Sequence, residues 1–281
     1  MLSTLVQRLH ARGKLWRFVP GLIILVPFII VALVAPLLPL EDPVLPHPAE
    51  RNKPPSPGHV FGTDTYGMDV FSRVLHAARL DFLLTLLCVV LAVAIGAPLG
   101  AAAGYFGGWL ENVTERLVEV VQSFPIMLFA MMIQIAVGRS VTNLIIVIGV
   151  YIAPFYAKLV RSIVKPLRDV EFIQAARVTG QSSAQILLRH LLPNSIPPII
   201  SQFTLSAAVA IRTLSGLSFL GFGIPPDTPD WGIDLARGQD YLRRAWWLIT
   251  YPGIMVTLVT FAFSMLGESL SEILNPRLSE A

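Results

Sequence analysis

Charge is scarce in this sequence. Asp, Glu, Lys and Arg make up 14% of its 281 residues, against 54% hydrophobic ones. A soluble domain carries about 25% charged and about 45–50% apolar residues. The apolar excess here comes in blocks, which excludes an ordinary soluble fold. Cysteine is nearly missing: Cys88 stands alone inside an apolar run, so no intramolecular disulfide forms and no cysteine cluster holds a metal. Five histidines are scattered without the close spacing of a zinc site. No G-x-x-x-x-G-K-[ST] occurs, so the chain has no phosphate cradle of its own. The net charge of +3 is small and sits in particular loops, which points away from nucleic acid and towards membrane orientation.

What is present is a series of long apolar runs. A hydrocarbon core of roughly 30 Å, at about 1.5 Å per helical residue, needs about 20 of them. Six spans are predicted, over residues 18–40, 82–105, 120–137, 141–158, 196–214 and 246–266. The first is longer than the about 7–15 apolar residues of a cleaved leader, and so reads as a retained span. Pro20, Pro27, Pro36 and Pro39 make it irregular, since proline removes a backbone donor. The organisation expected is a tail at 1–17, a first span at 18–40, a polar segment at 41–81, a five-span core at 82–270 and a tail at 271–281. The core contains two polar segments, 159–194 and 216–245.

Sorting the basic residues orients the chain. Arg8, Arg12, Lys14, Arg17, Arg116, Lys158, Arg161, Lys165, Arg168, Arg177, Arg189 and Arg277 fall on one side, the richer one, which therefore faces the cytoplasm. Arg51, Lys53, Arg73, Arg79, Arg139, Arg237, Arg243 and Arg244 fall on the other. Both termini and segment 159–194 are expected inside. Trp246, Trp247 and Tyr251 suit an outer aromatic belt and Trp16 an inner one.

Local signals fill in the loops. Segment 41–57 is Pro-rich and without periodicity; Gly62-Thr63-Asp64 and Tyr66-Gly67 read as turns, and Asp69 can cap a short helix reaching about residue 78. Gly96, Gly100 and Gly104, four apart, place three glycines on one helix face for close packing. Glu111, Glu115, Arg116 and Glu119 suit a helix end at the membrane surface, and Gly138-Arg139-Ser140 a tight hairpin. Arg212 is a charge deep in a predicted span. It reads either as a contact for an anionic group in a translocation path, or as an ion pair or snorkelling side chain. Residues 231–244 alternate as an amphipathic helix would.

The polar stretch 169–194 is over-structured for a simple turn. Asp169 can cap a helix with Glu171 in its first turn, and Phe172, Ala175, Ala176 and Thr179 share one face. Gly180 can end the helix in the left-handed region, Ser182 and Gln185 match a capping box for a second helix over 183–191, and Pro193 closes it. One large side chain among small ones suits insertion into a groove of another protein. Two helices lying on lipid headgroups, with Arg177 and Arg189 towards them, fit the same residues.

A resemblance separates the two. Gln174-Ala175-Ala176, Gly180 and Leu192-Pro193 resemble the E-A-A-x3-G-x9-I-x-L-P signature of bacterial ABC-importer permeases, with Gln174 for the usual Glu and His190 for the usual Ile. Phe61-Gly62-Thr63-Asp64 through Gly67-Met68-Asp69-Val70-Phe71-Ser72-Arg73 is similar to the L-G-T-D-x-x-G-R-D-V-x-S-R segment of dipeptide, oligopeptide and nickel permeases. Leu217-Ser218-Phe219-Leu220-Gly221-Phe222-Gly223, Pro229-Asp230-Trp231-Gly232 and Asn275-Pro276-Arg277-Leu278 resemble that family's L-S-F-L-G-L-G, P-x-W-G and D-P-R-L blocks. Met68 for Arg and Asn275 for Asp are departures that leave the pattern intact.

The resemblance implies an all-α polytopic membrane protein, a type I ABC importer (MetI-like) permease of the second-subunit kind, in the bacterial cytoplasmic membrane. It implies a homologous permease partner in a heterodimer, two cytoplasmic ATPase subunits carrying ATP and Mg, and an extracytoplasmic substrate-binding protein. The chain itself would be no enzyme and bind no cofactor, metal or nucleic acid. Glu171, Phe172, Gln174, Ala175, Ala176, Arg177 and Gly180 are the expected coupling residues, docking in the ATPase groove. Asp64, Asp69, Arg73, Trp231, Asp234, Arg243 and Arg244 are candidates for docking the binding protein. The cargo expected is di- or oligopeptide, with nickel or a metal chelate as the alternative. A secondary transporter would show an inverted repeat, which is absent, and an intramembrane protease would need partners for Ser206 or Ser215.

Overall fold

A computed structural model describes residues 15–274 of the chain. The basic tail with Arg8, Arg12 and Lys14, and the closing Asn275-Pro276-Arg277-Leu278, lie outside the described residues. Among the described residues ten α-helices succeed one another: α1 Leu15–Val34, α2 Val70–Phe106, α3 Gly108–Gln122, α4 Ile126–Val137, α5 Val141–Leu167, α6 Glu171–Val178, α7 Ser183–Ile186, α8 Leu192–Phe219, α9 Trp231–Gly238 and α10 Trp247–Leu274. A π-helical turn, Leu187–Leu191, joins α7 to α8 without a break. Among the described residues the only β pairing is an isolated bridge between Thr63 and Asp69. α1, α2, α5 and α10 are each long and apolar enough to cross a membrane, and α3 with α4 would make a fifth crossing bent by 90°. α8 matches α10 at 28 residues but is richer in Ser and Pro.

Several boundaries differ from the sequence reading. The short helix begun at Asp69 does not stop near residue 78. It runs on through residue 82 as α2, 37 residues long and longer than a membrane is thick. The run 120–137 is no straight span either. α3 ends at Gln122, Pro125 takes an extended conformation, and α4 leaves at 90°. A proline lacks the donor that would carry the helix through, and it disfavours helix in the residue before it. α5 continues nine residues past Lys158, to Leu167. Pro193 does not end a helix; it falls in the first turn of α8, where its missing N–H costs little.

The core is a seam between α2 and α5 with α8 laid across it. A Cβ on Gly96 would stand 2.2 Å from the Ala153 carbonyl oxygen and one on Gly100 2.3 Å from that of Ala157, so these two backbones touch with no room for a side chain. Tyr156, Ile148 and Ile152 of α5 are completely buried there with Leu214 of α8. α10 lies against α8, and α1 packs against α10 and α2. The bundle has two distinct ends: one carries α6 and α7, the other α9 and the folded strap of residues 38–69.

Candidate functional site

At the α6 end the chain builds a short projecting element. α6 is anchored by Ile173 and Ala176, which are buried among Ala97, Ala101 and Tyr105 of α2, Val160 and Val164 of α5, and Leu191. Arg177 lies over the Tyr105 ring at 5.1 Å and holds the same side down. The opposite face points outward: Glu171, Gln174 and Ala175 are exposed, Phe172 is 45% exposed and Val178 88%. The expected face of Phe172, Ala175, Ala176 and Thr179 is therefore split. Ala176 serves the chain's own core, because the 3.6-residue repeat places it in line with Ile173.

The caps are equally specific. Asp169 does not cap α6, as its carboxylate is taken by Arg168 Nε at 3.1 Å and Val170 occupies the cap position. Gln174 Nε2 donates to the Asp169 carbonyl at 2.9 Å. Gly180 ends the element with φ +81°, and Ser182 and Gln185 form the complete capping box that starts α7. His190 Nε2 pairs with Gln181 Oε1 at 2.9 Å, and its ring meets Phe172 edge-on at 6.4 Å. So the residue in the usual Ile position ties the π turn back to α6.

The α9 end corrects the docking candidates. Asp64, Asp69, Arg73, Trp231 and Asp234 are all buried, so none offers a surface. Asp64 Oδ1 accepts from the Tyr66 and Met68 amides at 2.8 Å each, and Asp69 caps α2 at the Ser72 amide while facing His59 Nδ1 at 3.1 Å. Arg73 reaches across from α2 to α9, donating from Nε and Nη2 to Asp234 Oδ1 at 2.9 and 2.7 Å and from Nη1 to the Pro43 carbonyl at 2.6 Å. Trp231 Nε1 donates to the Val74 carbonyl at 3.0 Å, and its amide to Asp81 at 3.3 Å. Of the candidates only Arg243 and Arg244 are exposed. The expected aromatic belt is also partly interior: Trp247 donates to the Thr63 carbonyl at 3.1 Å, Tyr251 stacks on Phe61 at 3.8 Å, and Trp246 alone stays half-exposed.

Sequence reasoning placed Asp234 on a docking surface and missed that it is gathered here with Asp230 and Asp81. Asp230 caps α9 through the Ile233 amide at 2.7 Å, and burial pushes its carboxyl above the usual range. Burial likewise pushes Asp234 up, against the nearby charge of Arg73. These groups come from segments some 150 residues apart, so their only sequence signal is an Asp placed at the edge of an apolar run.

Arg212 is exposed on α8, and among the described residues it has no ion-pair partner.

Comparison with known proteins bears on the fold and the family. Residues 96–280 match the family profile described as binding-protein-dependent transport system inner membrane component. A dipeptide transport system permease protein of Alkalihalophilus pseudofirmus is 37% identical over 92% of this chain and 85% of its own. A di/tripeptide transport system permease protein of Pseudomonas aeruginosa is 33% identical over 97% and 90%. Among solved structures, the inward-facing MetNI methionine ABC transporter shares the fold, with a TM-score of 0.55 at 17% identity over 72% of this chain and 96% of that one. With its helical bundle, its matched core and relatives alike over nearly their whole length, the chain belongs to the family of binding-protein-dependent transport system inner membrane components.

Proposed function

We propose that this chain is the second permease of an ATP-driven importer of di- or oligopeptides, with six spans, both termini inside, and the α6 end facing cytoplasmic ATPase subunits. It pairs with a homologous permease into a shared path, and a binding protein delivers cargo at the α9 end. The observation that carries the reading is the two-sidedness of α6, with Ile173 and Ala176 fixed in the core and Phe172, Ala175 and Val178 left outside. A helix built this way transmits force. Pushed by an ATPase groove on its outer face, it moves the ends of α2 and α5 through its inner face. The Gly96 and Gly100 contacts make α2 and α5 travel together. No phosphate-binding loop is present, so ATP and Mg belong to the partners. Peptide cargo is favoured over nickel or a metal chelate by the relatives named for dipeptides and di/tripeptides.

The test is an Ala175→Trp variant in the complete transporter, reconstituted in vesicles with labelled dialanine. Ala175 is exposed, so the bulk does not disturb the chain's own packing. ATP hydrolysis should continue while uptake falls at least about tenfold, equivalent to about 1.4 kcal/mol of lost coupling. Normal uptake by this variant would remove α6 from the coupling role.

A further inference from the structure

The α9 end holds a cavity of about 730 Å³ between the strap, the α4–α5 turn, the α8–α9 loop and α9, lined among others by Tyr66, Arg139, Phe219 and Arg237. Its two arginines are only partly engaged. Arg139 Nη1 donates to the Gly221 carbonyl at 3.1 Å, with the guanidinium 4.5 Å over the Phe222 ring. Arg237 Nη2 donates to the Pro226 carbonyl at 2.5 Å, while its buried Nη1 has no hydrogen-bond partner and Asp64 Oδ2 lies 3.8 Å away. Asp227 is the one acid in the lining, with Asp64 paired to Arg237 behind it, and Arg139 is the arginine there with no acid paired to it among the described residues.

The same face of α8 leads from this cavity into the membrane. At 100° per residue, Arg212 lies under Phe219, seven residues and about 10 Å along the axis. Gly216 between them is pressed by Met127 of α4, and Leu205, seven residues further in, packs on Gly267 of α10. Arg212 therefore opens between α4 and α10. A charge at that depth persists where it faces a polar path or an opposite charge, and no acid of the described chain supplies one.

We propose that Arg237, Arg139 and Arg212 form a cationic lane that receives the carboxylate of a peptide substrate and hands it inward along α8. The proposal rests on the importer reading and narrows its cargo to peptides with a free carboxylate. Guanidinium groups suit that ligand because their paired N–H donors match both carboxylate oxygens. A fixed ion pair with a second permease would account for Arg212 alone and would not explain why the cavity arginines lie at the head of the same face of α8.

The experiment compares uptake of dialanine and its C-terminal amide by the complete reconstituted transporter, at concentrations that saturate the binding protein. The wild type should favour the free carboxylate. Arg212→Gln should lower dialanine uptake about tenfold, the scale of one lost hydrogen bond to a charged group, and leave amide uptake unchanged, so that the preference collapses. Arg212→Lys should restore most of the preference. Equal loss for both peptides would assign Arg212 to subunit pairing, and undiminished uptake of both would place discrimination in the binding protein; either overturns the lane. Should Arg212→Gln fail to co-purify with its partners, Arg237→Gln at the open cavity provides the same ratio test. A wild type that moves neither peptide would instead overturn the peptide-importer reading beneath it.

Discussion

Replacing Arg73 with Met isolates the contact that holds α9 against α2. Arg73 is 1% exposed and makes two hydrogen bonds to one carboxylate oxygen of Asp234, whose second oxygen has no hydrogen-bond partner. Removing one partner of a buried pair costs about 3–5 kcal/mol, because the remaining charge stays uncompensated. Asp234 can escape part of that cost by taking up a proton. Burial already pushes its carboxyl up, and Asp230 beside it pushes the same way, while Arg73 and more weakly Arg237 oppose them. Without Arg73 the carboxyl rises further. A carboxyl raised above its unfolded value of about 3.9 contributes its stability fully below that pH and loses it as pH climbs through the folded value. The loss is about 1.4 kcal/mol for each pH unit above the unfolded value and below the folded one. Thermal unfolding of the purified complex should therefore show Arg73→Met far less stable than wild type at pH 8 and recovering towards it at pH 5.5. The double variant Arg73→Met with Asp234→Leu should recover most of the stability at both pH values, short of about 1 kcal/mol for the lost Pro43 carbonyl bond. A single variant with no pH dependence of its own, or a double variant as weak as the single, would refute this account.

Three other substitutions probe the packing, the caps and the orientation. Gly100→Leu would drive a side chain into the Ala157 carbonyl, so it should cost at least about 1–3 kcal/mol by overpacking and lower the yield of assembled complex. Ser182→Ala removes the capping box and should destabilise the α7 junction by about 1 kcal/mol, read as faster proteolysis between Gly180 and Ser183. In a Cys88→Ala background, Val178→Cys should react with a membrane-impermeant maleimide only when the cytoplasmic face is open and should be protected by bound ATPase subunits; labelling from the outer face would reverse the proposed orientation.

Where the physics is local, the chain reads directly. The Asp69 cap, the left-handed Gly180 and the Ser182–Gln185 box depend on residues within a turn of one another, and all three stand in the fold. Sequence and structure part where distant groups compete. Asp169 has the chemistry to cap α6, but Arg168 holds it. Arg73 and Trp231 read as surface charge and surface aromatic, yet each closes a bond to a segment about 150 residues away that no periodicity reports. Hydropathy finds the α3–α4 region as a span but not its bend, because a composition window is blind to the direction in which Pro125 sends the chain. Ala176 reads as outward only while Ile173, the inward residue it lines up with, is left out of the pattern; together the two are the helix's anchor.

The π turn at Leu187–Leu191 has a reach well beyond its five residues. Such a turn accommodates one residue more than the α-helix around it, and each residue of an α-helix rotates the rest of that helix by about 100°. α8 continues from this turn without interruption, so its whole length keeps its azimuth because the turn absorbs that additional residue. Arg212 lies more than twenty positions downstream, on the stretch of α8 whose facing that turn preserves. Forced into plain α-helix at the same length, Leu187–Leu191 would swing Arg212 by about 100°, although every residue between the two would keep its identity. The direction of Arg212 is thus tied to a turn at the opposite end of the bundle.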